Sequence, residues 1–174
     1  QFAAPSTRTI YTLFGLGIHD GSGSDDVDEA YVVHEHGYDF VVAHDSGRYL
    51  AIAQRRPATG QTTFDGCRVG RQGVPRGPEK SAWRDIYVEN DGFVDDNDHL
   101  RGKVDVGFGL FVDDATDVTW VTAVGFGEDE LTAVENALET LWNGYRAEQS
   151  MFAAVWESWH ENCSGCPVDD GFAT

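Results

Sequence analysis

The chain has 174 residues, of which 41% are hydrophobic, and this is enough for a single domain with its own core. Thirty acidic residues against twelve basic ones give a formal net charge of −18. A chain so acidic lacks the basic patch that nucleic acids and anionic membranes require, so we exclude both as partners. No apolar run approaches the roughly 20 residues of a membrane-spanning helix, and no signal peptide is visible at the start.

The composition also points to an environment rich in salt. The acidic residues lean toward aspartate, and Lys80 and Lys103 are the only lysines among the twelve basic residues. Disordered acidic chains lack aromatic residues, whereas this one has five Trp and ten Phe. In about 1 M salt the Debye length falls to about 3 Å, so a dense acidic surface repels itself little. We therefore predict a soluble, salt-adapted protein of a high-salt cytoplasm or an extracellular brine.

The first part of the chain shows β-prone runs separated by turn signals. A first strand is expected in TIYTLFGLGI, and AYVVHEHG and YDFVVAHDSG predict a hairpin around Gly37. A further strand, RYLAIAQRR, ends at Pro57, and residues 59–97 form a long loop region rich in Gly, Pro and Asp. The strand pattern resumes with KVDVGFGLFV and VTWVTAVGFG. Strands at near-regular spacing predict a mainly β fold, an antiparallel β-sandwich.

The period of the apolar residues changes at Gly127 to that of a long C-terminal amphipathic helix. Steps of three, four or seven relate Leu131, Val134, Leu138, Leu141, Tyr145, Phe152, Val155 and Trp159. Acidic residues open the helix, and Gly144 is a point at which it is expected to bend or split. If continuous, the helix would be about 45 Å long, more than a small sandwich can cover. Phe152, Val155, Trp156 and Trp159 are therefore expected to contact another protein surface.

Two clusters have the residue types of a metal site. Cys163 and Cys166 could bind zinc only if the fold supplied two more ligands, for which Cys67 and His160 are the candidates. A tail disulfide or plain thiols is the favoured interpretation of this pair. The oxygen ligands Asp91, Asp95, Asn97 and Asp98 could hold calcium, but their spacing does not follow the calcium-loop pattern. A solvated loop is the default here, so we predict no resident cofactor, with calcium as the alternative.

Histidines offer a third possibility. His34 and His36 are expected to share one face of a strand, an arrangement that could begin a metal site, with His44 on the next strand. Ordinary sheet-surface histidines are the favoured interpretation. The sequence contains no nucleophile elbow, phosphate loop or dinucleotide fingerprint, and its carboxylates are too many for one catalytic pair to be singled out. We predict no catalytic residue.

Three stretches together resemble one known domain. They are YVVHEHGYDFVVAHDSGRYLAIAQ, SAWRDIYVENDGFVDDNDHLRGKVDVGFGLFV and WVTAVGFGEDELTAVENALETLWNGYRAEQSMFAAVWESWHE, in that order. They are similar to the N-terminal β-sandwich and linker helix of prokaryotic and haloarchaeal glucoamylase- and glucodextranase-like enzymes, glycoside hydrolase family 15. The most specific element is a strand ending in GFG that leads into ELTAVENALETL and a closing pair of tryptophans. The resemblance covers Tyr31 to Glu161.

The resemblance implies a partial super-sandwich-like domain over residues 1–126, a linker helix over 127–161, and a tail over 162–174 that starts a missing catalytic module. In that family an (α/α)6 barrel hydrolyses α-glucosidic bonds with inversion, using two glutamates that belong to the barrel. No catalytic residue is carried onto this chain. The expected partner is that barrel, in the same or a homologous chain, and the expected role is a non-catalytic accessory domain. The alternative is a stand-alone module that binds calcium, or carbohydrate on Trp83, Tyr87 and Phe93.

Overall fold

The computed structural model describes residues 8–15, 29–71, 74, 76–77, 80–84, 99–102, 104–112 and 119–162. In these ranges the chain forms an antiparallel β-sandwich followed by a long C-terminal helix, as the sequence predicts. One described sheet has three strands and the other has five, and every pairing between described strands is antiparallel.

The five-stranded sheet is built mainly from strands that are consecutive in the chain. Its members are β2 (Glu29–Glu35), β3 (Tyr38–Asp45), β4 (Arg48–Arg55), β6 (His99–Arg101) and β8 (Val121–Gly127), in the order β6-β2-β3-β4-β8. Strands β2 and β3 form the hairpin expected around Gly37. Its turn, His36-Gly37, has φ of 53° and 80°, and the following turn, Ser46-Gly47, has 48° and 82°. Positive φ at both central residues defines the type I′ turn, whose twist matches that of the flanking strands.

The three-stranded sheet contains a strand that the sequence pattern did not reveal. Its order is β1-β7-β5, with β1 at Arg8–Gly15, β5 at Gly66–Arg71 and β7 at Val104–Val112. Strand β5 and a one-turn helix α1 (Ala82–Arg84) lie in the region predicted to be a long loop. The prediction was wrong for β5 because GCRVGR has two glycines, two arginines and only two apolar residues, Cys67 and Val69, which are too few to show the period of a strand. Its pairing with β7 supplies the stability that propensity does not.

Apolar side chains between the two sheets form one part of the core. Val41, Leu50 and Ile52 of the five-stranded sheet are buried together, and Phe64 and Cys67 pack against them. A second group of buried residues joins the sheets beside it, namely Ala30, Ala43, Val69 and Leu100. Burying a Val, Leu or Ile side chain stabilises the fold by about 1.5–3 kcal/mol. The sandwich core therefore lies on one face of β2, β3 and β4.

The opposite face of the five-stranded sheet is covered by the start of helix α2 (Glu130–Asn162). Val134, Leu138 and Leu141 are buried as the periodicity predicts, whereas Leu131 is exposed. Small residues on both surfaces bring the helix close to the sheet. Facing alanines complete this contact: Ala133 and Ala137 on the helix, and Ala51, Ala53 and Ala123 on the strands.

Two glycines of strand β8 allow the helix to approach its backbone directly. A Cβ atom at Gly125 would lie 2.2 Å from the carbonyl oxygen of Ala133, and one at Gly127 would lie 2.6 Å from the backbone nitrogen of Ala133. The side chain of Asp129 caps the helix, because its Oδ1 accepts a 2.8 Å hydrogen bond from the backbone N–H of Thr132. The GFG segment and the acidic helix start are thus one structural unit.

The helix is interrupted at Gly144, whose φ of 74° and ψ of 160° lie outside the helical region. The chain also divides into two compact units at this point, Gln1–Trp142 and Asn143–Thr174. The first unit contains the sandwich and the buried start of α2. In the second unit, the described residues are the rest of α2.

Candidate docking surface and a polar cluster

The described part of the second unit carries a row of large apolar side chains in water. Phe152, Val155, Trp156 and Trp159 are 69%, 70%, 53% and 51% exposed, respectively. We call these four residues the aromatic face. Phe152 lies three and four positions before Val155 and Trp156, and these lie four and three positions before Trp159, so the four residues share one side of the helix.

The aromatic rings of this face stack on one another. Phe152 and Trp156 stack with ring centroids 6.1 Å apart and planes 13° from parallel, and Trp156 and Trp159 stack at 5.2 Å and 27°. The imidazole of His160 contacts both tryptophans edge-on, at 5.2 and 5.0 Å. Contiguous exposed apolar surface of this kind marks interaction sites in water-soluble proteins. The aromatic face is therefore the candidate docking surface.

A second feature, in the first unit, is a cluster of polar side chains at one end of the five-stranded sheet. The carboxylate of Glu29 on β2 lies at its centre, and its side chain is only 14% exposed. His44 Nε2 lies 3.3 Å from Glu29 Oε2, and Arg101 Nε lies 3.3 Å from Glu29 Oε1. His99 Nε2 also contacts Glu29 Oε1. The hydrogen bond from His99, reinforced by Arg101, holds the pKa of Glu29 below its ordinary value.

Tyrosine rings connect this cluster to the helix. The ring of Tyr31 contacts His44 and His99 edge-on, and Tyr49 stacks on His44 with centroids 4.8 Å apart. The Tyr31 hydroxyl donates a hydrogen bond to Glu130 Oε2, in the first turn of α2. Burial raises the pKa of Tyr31, and the bond to Glu130 raises it further, so the phenol is neutral at ordinary pH.

The cluster borders an open depression lined by Glu29, Tyr31, Val32, His44 and His99. Both oxygens of Glu29 are engaged by donors from the protein, so the carboxylate is held as an acceptor within the fold. Among the residues the structure describes, no group of three or more His, Cys, Asp or Glu is arranged to hold a metal ion. The arrangement therefore favours a structural role, in which the cluster links strands β2, β3 and β6, over a catalytic role.

Most metal ligands proposed from the sequence lie outside the described residues. These are Asp91, Asp95, Asn97 and Asp98 for calcium, and Cys163 and Cys166 for zinc. Both hypotheses stay predictions. Two further residues were candidates for the zinc site. Cys67 is half-buried on β5 in the first unit, and His160 lies in the second unit, on the helical segment that carries the aromatic face.

The histidine pair does not have the arrangement expected from the sequence. His34 lies on β2, with Nδ1 2.7 Å from Asp39 Oδ1 on the neighbouring strand. His36 lies in the hairpin turn with a left-handed backbone, so it leaves the strand and does not share its alternation. The expectation that His34 and His36 lie on one strand face was wrong, because the strand ends at Glu35.

The sequence did not point to the polar cluster, and local pattern gives little signal for it. Glu29 and His99 are 70 positions apart, and β6 has only three residues, too few for a period of two to be visible. The aromatic face, by contrast, has a signal in its helical spacing. No described helix is long and apolar enough to cross a membrane.

Comparisons with known proteins agree with the fold and with the resemblance in the sequence. The family model for glucodextranase, domain N, matches residues 6–161. None of the curated proteins matches the chain. A solved structure of a bacterial glucoamylase complexed with acarbose is similar to it, with a TM-score of 0.66 and 20% sequence identity. That likeness covers 88% of this chain and 20% of the glucoamylase chain, so this chain spans about a fifth of that protein's length.

Proposed function

The chain belongs to the family of glucodextranase N domains, and from this premise we propose that it is the non-catalytic accessory domain of a salt-adapted, glucoamylase-like glycoside hydrolase. In this proposal residues 1–126 form the sandwich domain, 127–161 form a linker helix and 162–174 lead into the catalytic module. That module is an (α/α)6 barrel, of the same or a homologous chain, which hydrolyses α-glucans. The accessory domain braces the barrel through the aromatic face.

The exposure of the aromatic face is the observation that carries the proposal. A Phe or Trp side chain buries about 150–250 Å² when it is covered, which is worth roughly 4–6 kcal/mol at about 25 cal/mol per Å². Because only 51–69% of each of the three rings is still exposed, covering them supplies roughly 6–11 kcal/mol in total, which is comparable with the ~4–15 kcal/mol that association costs. Covering the aromatic face can therefore offset much of the cost of binding one partner.

The charges beside the aromatic face constrain the partner's chemistry. Glu157 and Glu161 lie on the same exposed helical segment, and the whole chain carries a net charge of −18. A second copy of this chain would meet like charge, whereas a surface with an apolar centre and a basic rim would be complementary. In this proposal the partner's surface opposite Glu157 and Glu161 carries basic residues.

The gene provides the first test of the proposal. The coding sequence downstream of Thr174, or a neighbouring gene, is expected to encode a series of paired helices with two glutamates placed for inverting hydrolysis. The chain by itself, assayed in concentrated salt, is expected to release no glucose from maltooligosaccharides. A gene neighbourhood without any helical barrel, or glucose release by the purified chain, would contradict the proposal.

Carbohydrate binding by the domain itself is the second candidate. Trp83 in helix α1 is 53% exposed, and an exposed tryptophan is a common contact for sugar rings. The other members of the predicted platform, Tyr87 and Phe93, lie outside the described residues. Titration with maltooligosaccharides, followed by tryptophan fluorescence, tests this candidate against a Trp83→Ala variant. A signal that is absent at millimolar sugar, or that persists in the variant, would argue against it.

A further inference from the structure

We infer that Glu148 is the polar anchor of the docking surface, a carboxylate that pairs with an arginine of the partner. The anchor rests on the proposed function, in which the aromatic face contacts a catalytic module. It adds one specific ion pair to a contact that is otherwise made by apolar side chains, and so it selects among partners that could all cover the rings.

Glu148 lies in line with the large apolar side chains of the second helical segment. It follows Tyr145 by three positions and precedes Phe152 by four, and residues at these steps are neighbours on one side of a helix. Tyr145 is 68% exposed, so it adds one more ring to the row before the aromatic face begins. Glu148 itself is half-buried. A partner that covers both Tyr145 and Phe152 therefore also covers this carboxylate.

One hydrogen bond within the segment holds the Glu148 side chain. Asn143 Nδ2 donates to Glu148 Oε1 at 3.0 Å. The bond spans Gly144, whose backbone lies outside the helical region, so it fixes the carboxylate at the start of the second segment. An ionised carboxylate has about four acceptor sites, and this bond takes one of them. The carboxylate can therefore still accept hydrogen bonds from a partner.

A carboxylate that loses its water on binding needs a cationic donor in exchange, because a buried and unpaired charge is strongly unfavourable. Arginine meets this need better than lysine. Its planar guanidinium gives a carboxylate two parallel hydrogen bonds, and it is more weakly hydrated than an ammonium group. The same plane can stack on the rings of Tyr145 and Phe152, which lie on either side of Glu148. The surroundings of Glu148 thus fit an arginine.

A second copy of this chain does not present such a cation on the same side of its helix. Arg146 is the one Arg or Lys among residues 143–174. It lies two positions before Glu148, and residues two apart do not face the same side of a helix. Two aromatic faces brought together would therefore bury two Glu148 carboxylates without an Arg or Lys from either segment. A different protein, with an arginine inside its apolar contact surface, is the complementary partner.

Calorimetric titration with the proposed catalytic barrel, in concentrated salt, tests the anchor through the sign of one effect. Glu148→Leu makes the row continuously apolar, so it would strengthen the contact with an apolar partner surface. Opposite an arginine, the same change leaves the guanidinium buried and unpaired, and we expect Kd to rise at least about thirtyfold. Glu148→Gln keeps an acceptor for Asn143 but loses the charge, so its Kd is expected to rise about tenfold.

Two further variants separate the anchor from other effects. Glu139→Gln makes the same charge change on an exposed residue of α2 in the first unit. Its Kd is expected to stay within about a factor of two of the wild-type value, because concentrated salt screens charges away from the contact. Asn143→Ala removes only the bond within the segment, and it is expected to raise Kd much less than Glu148→Leu does.

The outcomes distinguish the anchor from the proposed function. If the wild type binds and Glu148→Leu binds equally well or more tightly, the anchor is overturned and the proposed function stands. An effect of Asn143→Ala as large as that of Glu148→Leu would also overturn the anchor, since Glu148 would then act within its own segment. If the wild type does not bind the barrel, both fail together. A stable dimer of the chain alone in analytical ultracentrifugation would contradict the anchor as well.

Discussion

Gly125 shows how one residue determines the distance between the sheet and the helix. Any Cβ atom there would meet backbone atoms of Ala133 and Ala137 at 2.2–2.9 Å, and backbone cannot move aside as a flexible side chain can. We predict that Gly125→Ala lowers the unfolding free energy by about 1–3 kcal/mol or more, which is the usual cost of adding a methyl group to a site that is already fully packed. The measurement is urea unfolding in concentrated salt. Phe126→Ala, at the next position and 67% exposed, is the control and is expected to change stability little. Equal stability of the two variants would contradict the close packing.

Asp129 gives a second prediction at the residue scale, for the cap of helix α2. The hydrogen bond from the backbone N–H of Thr132 holds the pKa of Asp129 below its ordinary value. A carboxyl group with a lowered pKa contributes stability above its unfolded pKa, and that contribution is lost as the pH falls through the folded value. Asp129→Asn keeps a capping oxygen but does not titrate, so its unfolding free energy should fall less between about pH 5 and about pH 3. An acid response identical to that of the wild type would contradict this role.

At the scale of elements, the sequence predicts best where many residues repeat one signal. The hairpin around Gly37 and helix α2 have clear periods and turn residues, and both are found. Strands β5 and β6 were missed, because pairing with β7 and β2, rather than their own composition, stabilises them. Long-range pairing is not visible in a local window. The same reason hides the polar cluster at Glu29, whose members come from strands β2, β3 and β6.

The two segments of helix α2, before and after Gly144, are predicted to differ in how much they stabilise the sandwich. Trp156→Ser combined with Trp159→Ser removes side chains that are already in water, so we expect the unfolding free energy of the sandwich to stay within about 0.5 kcal/mol. Leu138→Ala, in the buried segment of the same helix, is the comparison and should cost about 2–5 kcal/mol. Urea unfolding in concentrated salt measures both. A large loss of stability in the tryptophan double variant would mean that those rings support the sandwich.

At the scale of the whole molecule, the salt adaptation that we propose rests on the net charge of −18. We predict partial unfolding below about 0.5 M salt, because the longer Debye length lets the acidic residues repel each other. Circular dichroism during dialysis from concentrated salt measures this directly. Neutral sucrose at equal osmolarity is the control, and it is expected to replace the salt poorly, since it does not screen charge. A spectrum that stays unchanged in dilute buffer would contradict salt adaptation.

The central proposal at this scale is that the domain binds a partner through the aromatic face. The fold and the family follow from the sandwich, whereas the accessory role depends on what covers Phe152, Trp156 and Trp159. The most direct test is calorimetric titration of this chain, in concentrated salt, with the catalytic barrel that the proposal expects the same or a neighbouring gene to encode. We predict a 1:1 complex whose Kd rises at least about a hundredfold in the Trp156→Ser, Trp159→Ser double variant, since losing two buried aromatic anchors costs more than about 2.8 kcal/mol. Failure of the wild-type chain to bind the barrel, or equal affinity of the double variant, would contradict the account.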